Sequence, residues 1–242
     1  MEEQEVEQFE NDVRKVIVST KLLSKVQKRI LDGAKVKDSD FISIRYNRLS
    51  TVMLKKLPKN FIITSKNGLQ ALMHNFEKKD LSFDHIFCVG RVTKKYIEEA
   101  LGTVTFKAKT AKDLAAHLLT TDLKEFTYFC GDIRRDELPE ILAASNIRLE
   151  EVEIYKTILS ATVVKPPIDG IMFYSPSGVE SYLRENPETV GVAFCIGKTT
   201  AKAASEHFDK VLTSKISTVN SVLELVKDHF DIEPPIHSYE DE

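Results

Sequence analysis

The chain lacks most of the signatures by which an α/β protein declares its ligand. No Gly-x-Gly-x-x-Gly and no Gly-x-x-x-x-Gly-Lys-Ser/Thr run occurs in its 242 residues, so dinucleotide and nucleoside-triphosphate binding are without their phosphate-cradling loops. A Gly-x-Ser-x-Gly elbow is missing as well, which removes the usual setting for a hydrolytic serine. There are only three cysteines, Cys88, Cys130 and Cys195, and none belongs to a Cys-x-x-Cys pair. Each closes an apolar run one or two residues before a glycine, and reads as a small buried hydrophobe, not as half of a disulfide or a zinc ligand. The six histidines (74, 85, 117, 207, 229, 237) have no ligand spacing, so no metal site is expected. No apolar run approaches the ~20 residues of a membrane span. The leading residues Glu2, Glu3, Glu5 and Glu7 are the reverse of a positively charged signal peptide, and a cytoplasmic protein is expected.

What is present is an ordinary globular composition, 42% apolar and 29% charged, with acid gathered at both ends. Residues 1–12 hold six acids and 231–242 five, neither with a lysine or arginine; the remaining 26 acids face 34 bases. Segments 1–13 and 231–242, the latter with Pro234-Pro235, therefore read as solvated tails on a basic body. A basic body suits an anionic ligand. No helix carries a dense Lys/Arg stripe and no strand an aromatic–basic pattern, so nucleic acid is not the expected partner.

The strongest positive feature is a duplication. Phe61-Ile-Ile-Thr-Ser-Lys-Asn-Gly68 recurs as Ile171-Met-Phe-Tyr-Ser-Pro-Ser-Gly178, and Ile86-Phe-Cys-Val-Gly-Arg-Val-Thr93 as Ala193-Phe-Cys-Ile-Gly-Lys-Thr-Thr200. Each copy is a short apolar run, a small or hydroxylated residue, then an amphipathic stretch, as in a buried parallel strand feeding a helix. Val16-Ile-Val-Ser19 with a helix over 22–31 and a turn at Gly33 matches Tyr128-Phe-Cys-Gly131 with a helix over 136–144 and a turn at Asn146. Extended stretches follow at 41–46 and 152–157, and helices are expected over 111–119 and 219–230, capped by Thr110 and Thr218. Strands alternating with helices at this spacing give parallel sheets covered on both faces.

In such sheets ligands lie outside the carboxyl ends of the strands. Ser65, Asn67, Thr93, Ser175, Ser177, Thr199 and Thr200 fall where helices begin, and helix N-termini favour carboxylate or phosphate. A plain helix cap is the commoner role for any one of them; their duplication favours a ligand. Gly90 and Gly197 leave room for backbone approach. Asp132-Ile-Arg-Arg-Asp-Glu137 reads first as a dipole-matched helix start, with Arg134 and Arg135 within reach of an anion. Tyr155 is either linker packing or a proton donor, since the motifs offer no His, Glu or Cys acid.

Ile63-Thr-Ser-Lys-Asn67, Val89-Gly-x-x-Thr93, Phe129-Cys-Gly-Asp132 with Leu138-Pro139, Tyr155-Lys-Thr157, Phe173-Tyr-Ser-Pro-Ser-Gly178 and Ile196-Gly-x-Thr-Thr-Ala201 together resemble the uroporphyrinogen-III synthase family in order and spacing, over roughly residues 14–230. One departure is Thr20-Lys21, where bacterial members often carry Thr-Arg; a point charge there is a poor substitute for a bidentate one. The resemblance implies two flavodoxin-like or Rossmann-like α/β domains, residues 14–40 plus 160–230 and residues 50–150. Two linker strands, 41–49 and 151–159, would join them, with the active-site cleft between.

It also implies cofactor-independent cyclisation of hydroxymethylbilane to uroporphyrinogen III, with loss of water and inversion of ring D through a spiro intermediate. Tyr155 would be the acid. Substrate contacts would come from Ser65, Asn67, Gly90, Thr93, Ser175, Ser177, Gly178, Gly197, Thr199 and Thr200. A monomer is expected, with possible handover of substrate from hydroxymethylbilane synthase. The alternatives are a non-enzymatic two-lobed module closing on a small anion and a nucleotide-dependent transferase.

Overall fold

Short apolar runs become strands here because helices cover both sheet faces, so consecutive residues can all be buried. The computed structural model describes residues 14–134 and 136–233; the acidic stretches 1–13 and 234–242, and Arg135, lie outside the described residues. In chain order the strands are Val16–Ser19 (β1), Lys35–Asp38 (β2), Ile42–Tyr46 (β3), Asn60–Ile63 (β4), His85–Val89 (β5), Phe106–Ala108 (β6), Glu125–Gly131 (β7), Arg148–Leu159 (β8), Gly170–Phe173 (β9), Val192–Cys195 (β10) and Val211–Thr213 (β11). The α-helices are Lys25–Lys28 (α1), Thr51–Leu54 (α2), Lys66–Asn75 (α3), Arg91–Ala100 (α4), Ala111–Leu119 (α5), Glu137–Ala143 (α6), Pro176–Glu185 (α7), Lys198–Ala204 (α8) and Val219–Phe230 (α9).

The chain forms two compact units. Ile44–Ile158 is one; the residues up to Ser43 and those from Leu159 onward form the other. The chain leaves the discontinuous unit in β3 and returns in β8. These strands run antiparallel, since Asn47 N–H bonds to Ile154 C=O (2.9 Å) while Ser160 N–H bonds to Phe41 C=O (2.8 Å). The discontinuous unit holds a sheet of order β11-β10-β9-β1-β2; the other sheet runs β3-β8-β7-β4-β5-β6. Apart from β3, every pairing is parallel.

Setting β9, β10, β11, β1 and β2 against β4, β5, β6, β7 and β8 gives both sheets one topology: third, second, first, fourth, fifth. Residue registers sharpen the match. Ile62 pairs with Tyr128, and its counterpart Met172 pairs with Ser19, so Ser19 corresponds to Tyr128. That corrects the sequence alignment by three residues, because apolar four-residue runs slide on one another without cost until a partner strand fixes them.

Period-two alternation supplies two cores per sheet. In Ile44–Ile158, Phe61, Ile63, Ile86, Cys88 and Phe129 face α3 and α4, while Ile62, Phe87, Phe126, Tyr128 and Cys130 face α5 and α6. In the discontinuous unit, Val18, Ile171, Phe173 and Ala193 meet Tyr182, Ala204 and Phe208, and Ile17, Met172 and Phe194 meet Val222, Leu223 and Val226. All three cysteines are free and buried. Burial pushes the Cys88 and Cys130 thiols up to about 11 and that of Cys195 to about 12, so they pack as protonated hydrophobes.

Helices α5 and α9 keep the expected bounds, with Thr110 and Thr218 accepting the N–H groups of Asp113 and Ser221. The helix expected over 22–31 shortens to α1 and a 3₁₀ turn at Arg29–Leu31. Its first residues are held instead by carboxylates, Leu22 N–H by Asp40 and Leu23 N–H by Asp38, and Ser24 caps what remains. Strand β2 has no apolar alternation to reveal it, being an edge strand with Lys35, Lys37 and Asp38 among its four residues. Ile232 packs into the core beyond the left-handed cap Asp231, so order extends past the point where the acidic composition begins.

Candidate functional site

A ligand in such a sheet sits where the strand order reverses, beyond the carboxyl ends of the first and fourth strands. These are β4 and β7 in Ile44–Ile158, and β9 and β1 in the discontinuous unit. The four strands put different chemistry there.

Past β4, Ser65 adopts an extended backbone and caps α3, its Oγ accepting the Gly68 N–H at 3.0 Å. Gly68 is buried, and a Cβ there would lie 3.2 Å from the Phe129 carbonyl, so its lack of a side chain lets α3 settle on β7. The Ser65 hydroxyl also lies 3.2 Å from the phenol of Tyr155. Tyr155 is only 8% exposed. Its ring occupies the place a side chain at Gly131 would take: a Cβ there would meet Tyr155 Cζ at 2.5 Å and the phenol oxygen at 2.9 Å. The register of β7 and β8 slips between Cys130 and Gly131, bringing Tyr155 opposite Gly131.

Asp132 then fixes the backbone on both sides of the tyrosine. Its N–H donates to Tyr155 C=O (3.2 Å), and its carboxylate accepts from Thr157 N–H (2.9 Å). Burial raises the Tyr155 pKa, while the bond to Ser65 works in the other direction; the net shift is upward. The group is therefore a protonated phenol at neutral pH, able to donate and poorly able to ionise unaided. Beside it, Thr64 Oγ1 and the Tyr128 phenol form a second hydroxyl pair at 3.0 Å.

Past β9 the local frame repeats. Ser175 caps α7 and accepts the Gly178 N–H at 3.0 Å, with Pro176 in the first turn, where a missing N–H is harmless. Tyr174 and Ser19 form the hydroxyl pair here, at 3.3 Å, and burial pushes the Tyr174 phenol up to about 12. Thr20 donates to Met172 C=O (2.8 Å) instead of facing outward. The described hydrogen bonds of this unit include no phenol joined to Ser175 as Tyr155 is to Ser65.

The second duplicated motif begins α4 and α8. Thr93 and Thr200 occupy the third position of each, 8% and 2% exposed, and neither hydroxyl has a hydrogen bond among the described residues. Their side chains are largely buried, but neither oxygen is enclosed. Among the described residues the one enclosed side-chain polar atom without a partner is the Tyr182 phenol oxygen, so both hydroxyls stay open to an external partner. Gly90 and Gly197 differ despite their matching places. Gly90 has φ +87°, a left-handed conformation that favours glycine, whereas Gly197 is extended at −176°. Asn67 and Ser177 are partly exposed and Thr199 is exposed, all in first turns, and none makes a side-chain hydrogen bond among the described residues.

Arg134 is engaged by Glu151 (2.6 Å) and Asp136, so its charge serves the loop after β7. Among the described residues no group of His, Cys, Asp and Glu could hold a metal ion, and no helix is long and apolar enough to cross a membrane.

Sequence reasoning singled out Ser65, Tyr155, Thr93, Ser175 and Thr200, and the structure joins two of them, Ser65 and Tyr155, directly. It missed Gly68, Gly131 and Asp132. Gly68 was legible, as the partner of Gly178 in the repeated motif; the need for Gly131 and the clamp by Asp132 depend on β8 lying beside β7.

Comparison with known proteins agrees with this frame. The family model of uroporphyrinogen-III synthase HemD matches residues 33–224. The porphyrin biosynthesis protein HemD of Ruminiclostridium josui is 26% identical over 183 residues, which is 67% of this chain; the match spans only 36% of that longer protein. Uroporphyrinogen-III synthetase from Helicobacter pylori superposes with a TM-score of 0.66 at 17% identity, over 89% of this chain and 99% of its own. A mutant uroporphyrinogen III synthase from the extremely thermophilic bacterium Thermus thermophilus does so with a TM-score of 0.66 at 16% identity, over 90% and 100%. At these identities the structures establish the α/β fold, and the family model, covering most of the chain, establishes its kinship: the chain belongs to the uroporphyrinogen-III synthase family.

Proposed function

We propose that the chain cyclises hydroxymethylbilane to uroporphyrinogen III, as a cofactor-independent lyase of tetrapyrrole biosynthesis. The observation that carries this reading is the protonated Tyr155 phenol, seated over Gly131 at the ligand end of the central strands, in a chain of this family. Tyr155 donates its proton to the terminal hydroxyl of the substrate as the carbon–oxygen bond breaks, and the oxygen leaves as water. The substituted carbon of the last ring attacks the cation so formed, giving a spiro intermediate that reopens and recloses with ring D inverted. The proton lost from carbon on final closure restores the phenol, so the enzyme ends as it began.

The unaided substrate also closes, but to the isomer without inversion. The protein's contribution is therefore chiefly to hold one folded shape and keep water away from a reactive cation. Acetate and propionate groups of the substrate meet the strand ends: Ser65, Asn67, Gly90 and Thr93 in one unit, and Ser175, Ser177, Gly178, Gly197, Thr199 and Thr200 in the other. The hydroxyls of Thr93 and Thr200, open to an external partner at the starts of α4 and α8, support this assignment. The working form is a monomer that receives substrate free or by handover from hydroxymethylbilane synthase. Incubation with hydroxymethylbilane, oxidation of the product and chromatographic separation of isomers tests the reading; isomer III is expected. Isomer I alone, at the background rate, would mean a module that binds a small anion without turning it over.

A further inference from the structure

We infer that Ser65 is a positioning residue for the Tyr155 proton: it donates its own hydrogen to the phenol oxygen and so leaves the phenol hydrogen free for the substrate. The inference rests on the role given to Tyr155 above, and follows from counting hydrogens. Ser65 Oγ already accepts the Gly68 N–H at 3.0 Å, and its one remaining hydrogen has the Tyr155 oxygen 3.2 Å away. Two arrangements satisfy that contact. In one the phenol donates to Ser65 and its proton is spent inside the protein. In the other Ser65 donates to the phenol, whose proton then points elsewhere.

Only the second serves an acid, and the Gly68 bond favours it. A hydroxyl oxygen that accepts an N–H becomes a stronger donor, and this one stands at the positive end of the ten-residue helix α3. When the phenol proton passes to the departing hydroxyl, the Ser65 O–H remains on the oxygen as it gains charge, and the proton returns when the ring carbon is deprotonated. Gly131 contributes no group of its own on that side; the titratable groups near the phenol are Cys130, Asp132 and Tyr128, the last of which feels the Tyr155 charge in turn. Ser175 shows that a cap alone needs none of this, since it makes the same glycine bond with no phenol attached among the described residues.

The test compares Ser65→Gly, which keeps an acceptable N-cap without the hydroxyl, with Ser65→Thr, which restores it. Thr110→Ala, a lost cap on α5, controls for general loosening. The Tyr155 phenol is followed by ¹³Cζ-tyrosine NMR without substrate, assigned by its loss in Tyr155→Phe, beside kcat, KM and thermal midpoint. In Ser65→Gly the phenol should titrate about half a pH unit or more higher. Its kcat should fall about tenfold, a larger change than any rise in KM from the lost strand-end contact. Ser65→Thr should recover both values, and Thr110→Ala should lower the midpoint without touching either. An unmoved Tyr155 titration in Ser65→Gly overturns the inference. A moved titration with unchanged kcat overturns it by another route, because Tyr155 is then held by Ser65 but is not the acid.

Discussion

In Ile44–Ile158 the fifth strand of the repeat, β8, runs unbroken for twelve residues and lays Tyr155 over Gly131. The matching residues 35–46 begin in the discontinuous unit and break after Asp38. Ser39 and Phe41 turn their N–H groups to the carbonyls of Ser19 and Thr20 (both 3.2 Å), and the chain resumes as β3. Asp38 and Glu151, equivalent by register, still hold similar posts, paired with Lys28 at 2.7 Å and Arg134 at 2.6 Å. The duplication therefore kept the strands, the helix caps and even the carboxylate at the fourth–fifth strand border. It diverged where one strand continues and the other bends away, and among the described residues that divergence leaves a phenol on the cap serine of one unit only.

The sharpest way to break this contrast is to remove each phenol in turn. Tyr155→Phe should lower the rate of isomer III formation by about 10²-fold or more, as for a lost general acid. Tyr174→Phe, which loses contacts to Ser19 and to the Met172 sulfur, should stay within about threefold; equal losses in stopped assays with hydroxymethylbilane would abolish the asymmetry.

The glycines give a smaller effect. Gly131→Ala would put a Cβ 2.5 Å from Tyr155 Cζ, and should cost about 1–3 kcal/mol in urea unfolding while displacing the phenol. Gly178→Ala, whose Cβ would meet Ser175 Oγ at 3.3 Å and Thr20 Oγ1 at 3.5 Å, should cost less than about 1 kcal/mol. The reverse order would show that the close seat of Tyr155 is not a constraint.

The smallest effect is in alkali. Burial raises the phenols of Tyr128, Tyr155, Tyr174 and Tyr182, that of Tyr174 to about 12. A raised folded-state pKa means the native protein holds the proton more tightly than the unfolded chain. Its stabilisation is complete below about pH 10 and is lost as pH rises from there toward 12. Absorbance at 295 nm should lag in the native protein relative to the protein in urea, and Tyr174→Phe should remove the part of the lag at highest pH.

The sequence carried the architecture further than it carried the site. Apolar runs ending at Ser65 and Ser175 marked strand-to-helix turns, and Thr110 and Thr218 fixed helix starts to the residue, because a cap is a local hydrogen bond that needs no tertiary partner. Strand β2 was hidden because an edge strand rich in charge has no buried face to show in its pattern. Ser65 and Tyr155 were each legible as residues, but their contact joins positions 90 apart in the chain and could come only from the fold. Gly131 is the clearest case: nothing in Phe-Cys-Gly-Asp says that an aromatic ring 24 residues later will occupy the space above it.

The hydroxyl pair at each sheet centre has a consequence for how such a repeat can be inherited. Thr64 meets Tyr128 in one copy and Tyr174 meets Ser19 in the other, so the bulky and the small partner have changed places. A crossover that exchanged only the β4 and β9 segments would set two phenols against each other in one unit and leave a threonine and a serine over a void in the other. The first and fourth strands of each copy are thus bound to change together, even though β1 and β9 are separated in the chain by the whole of Ile44–Ile158.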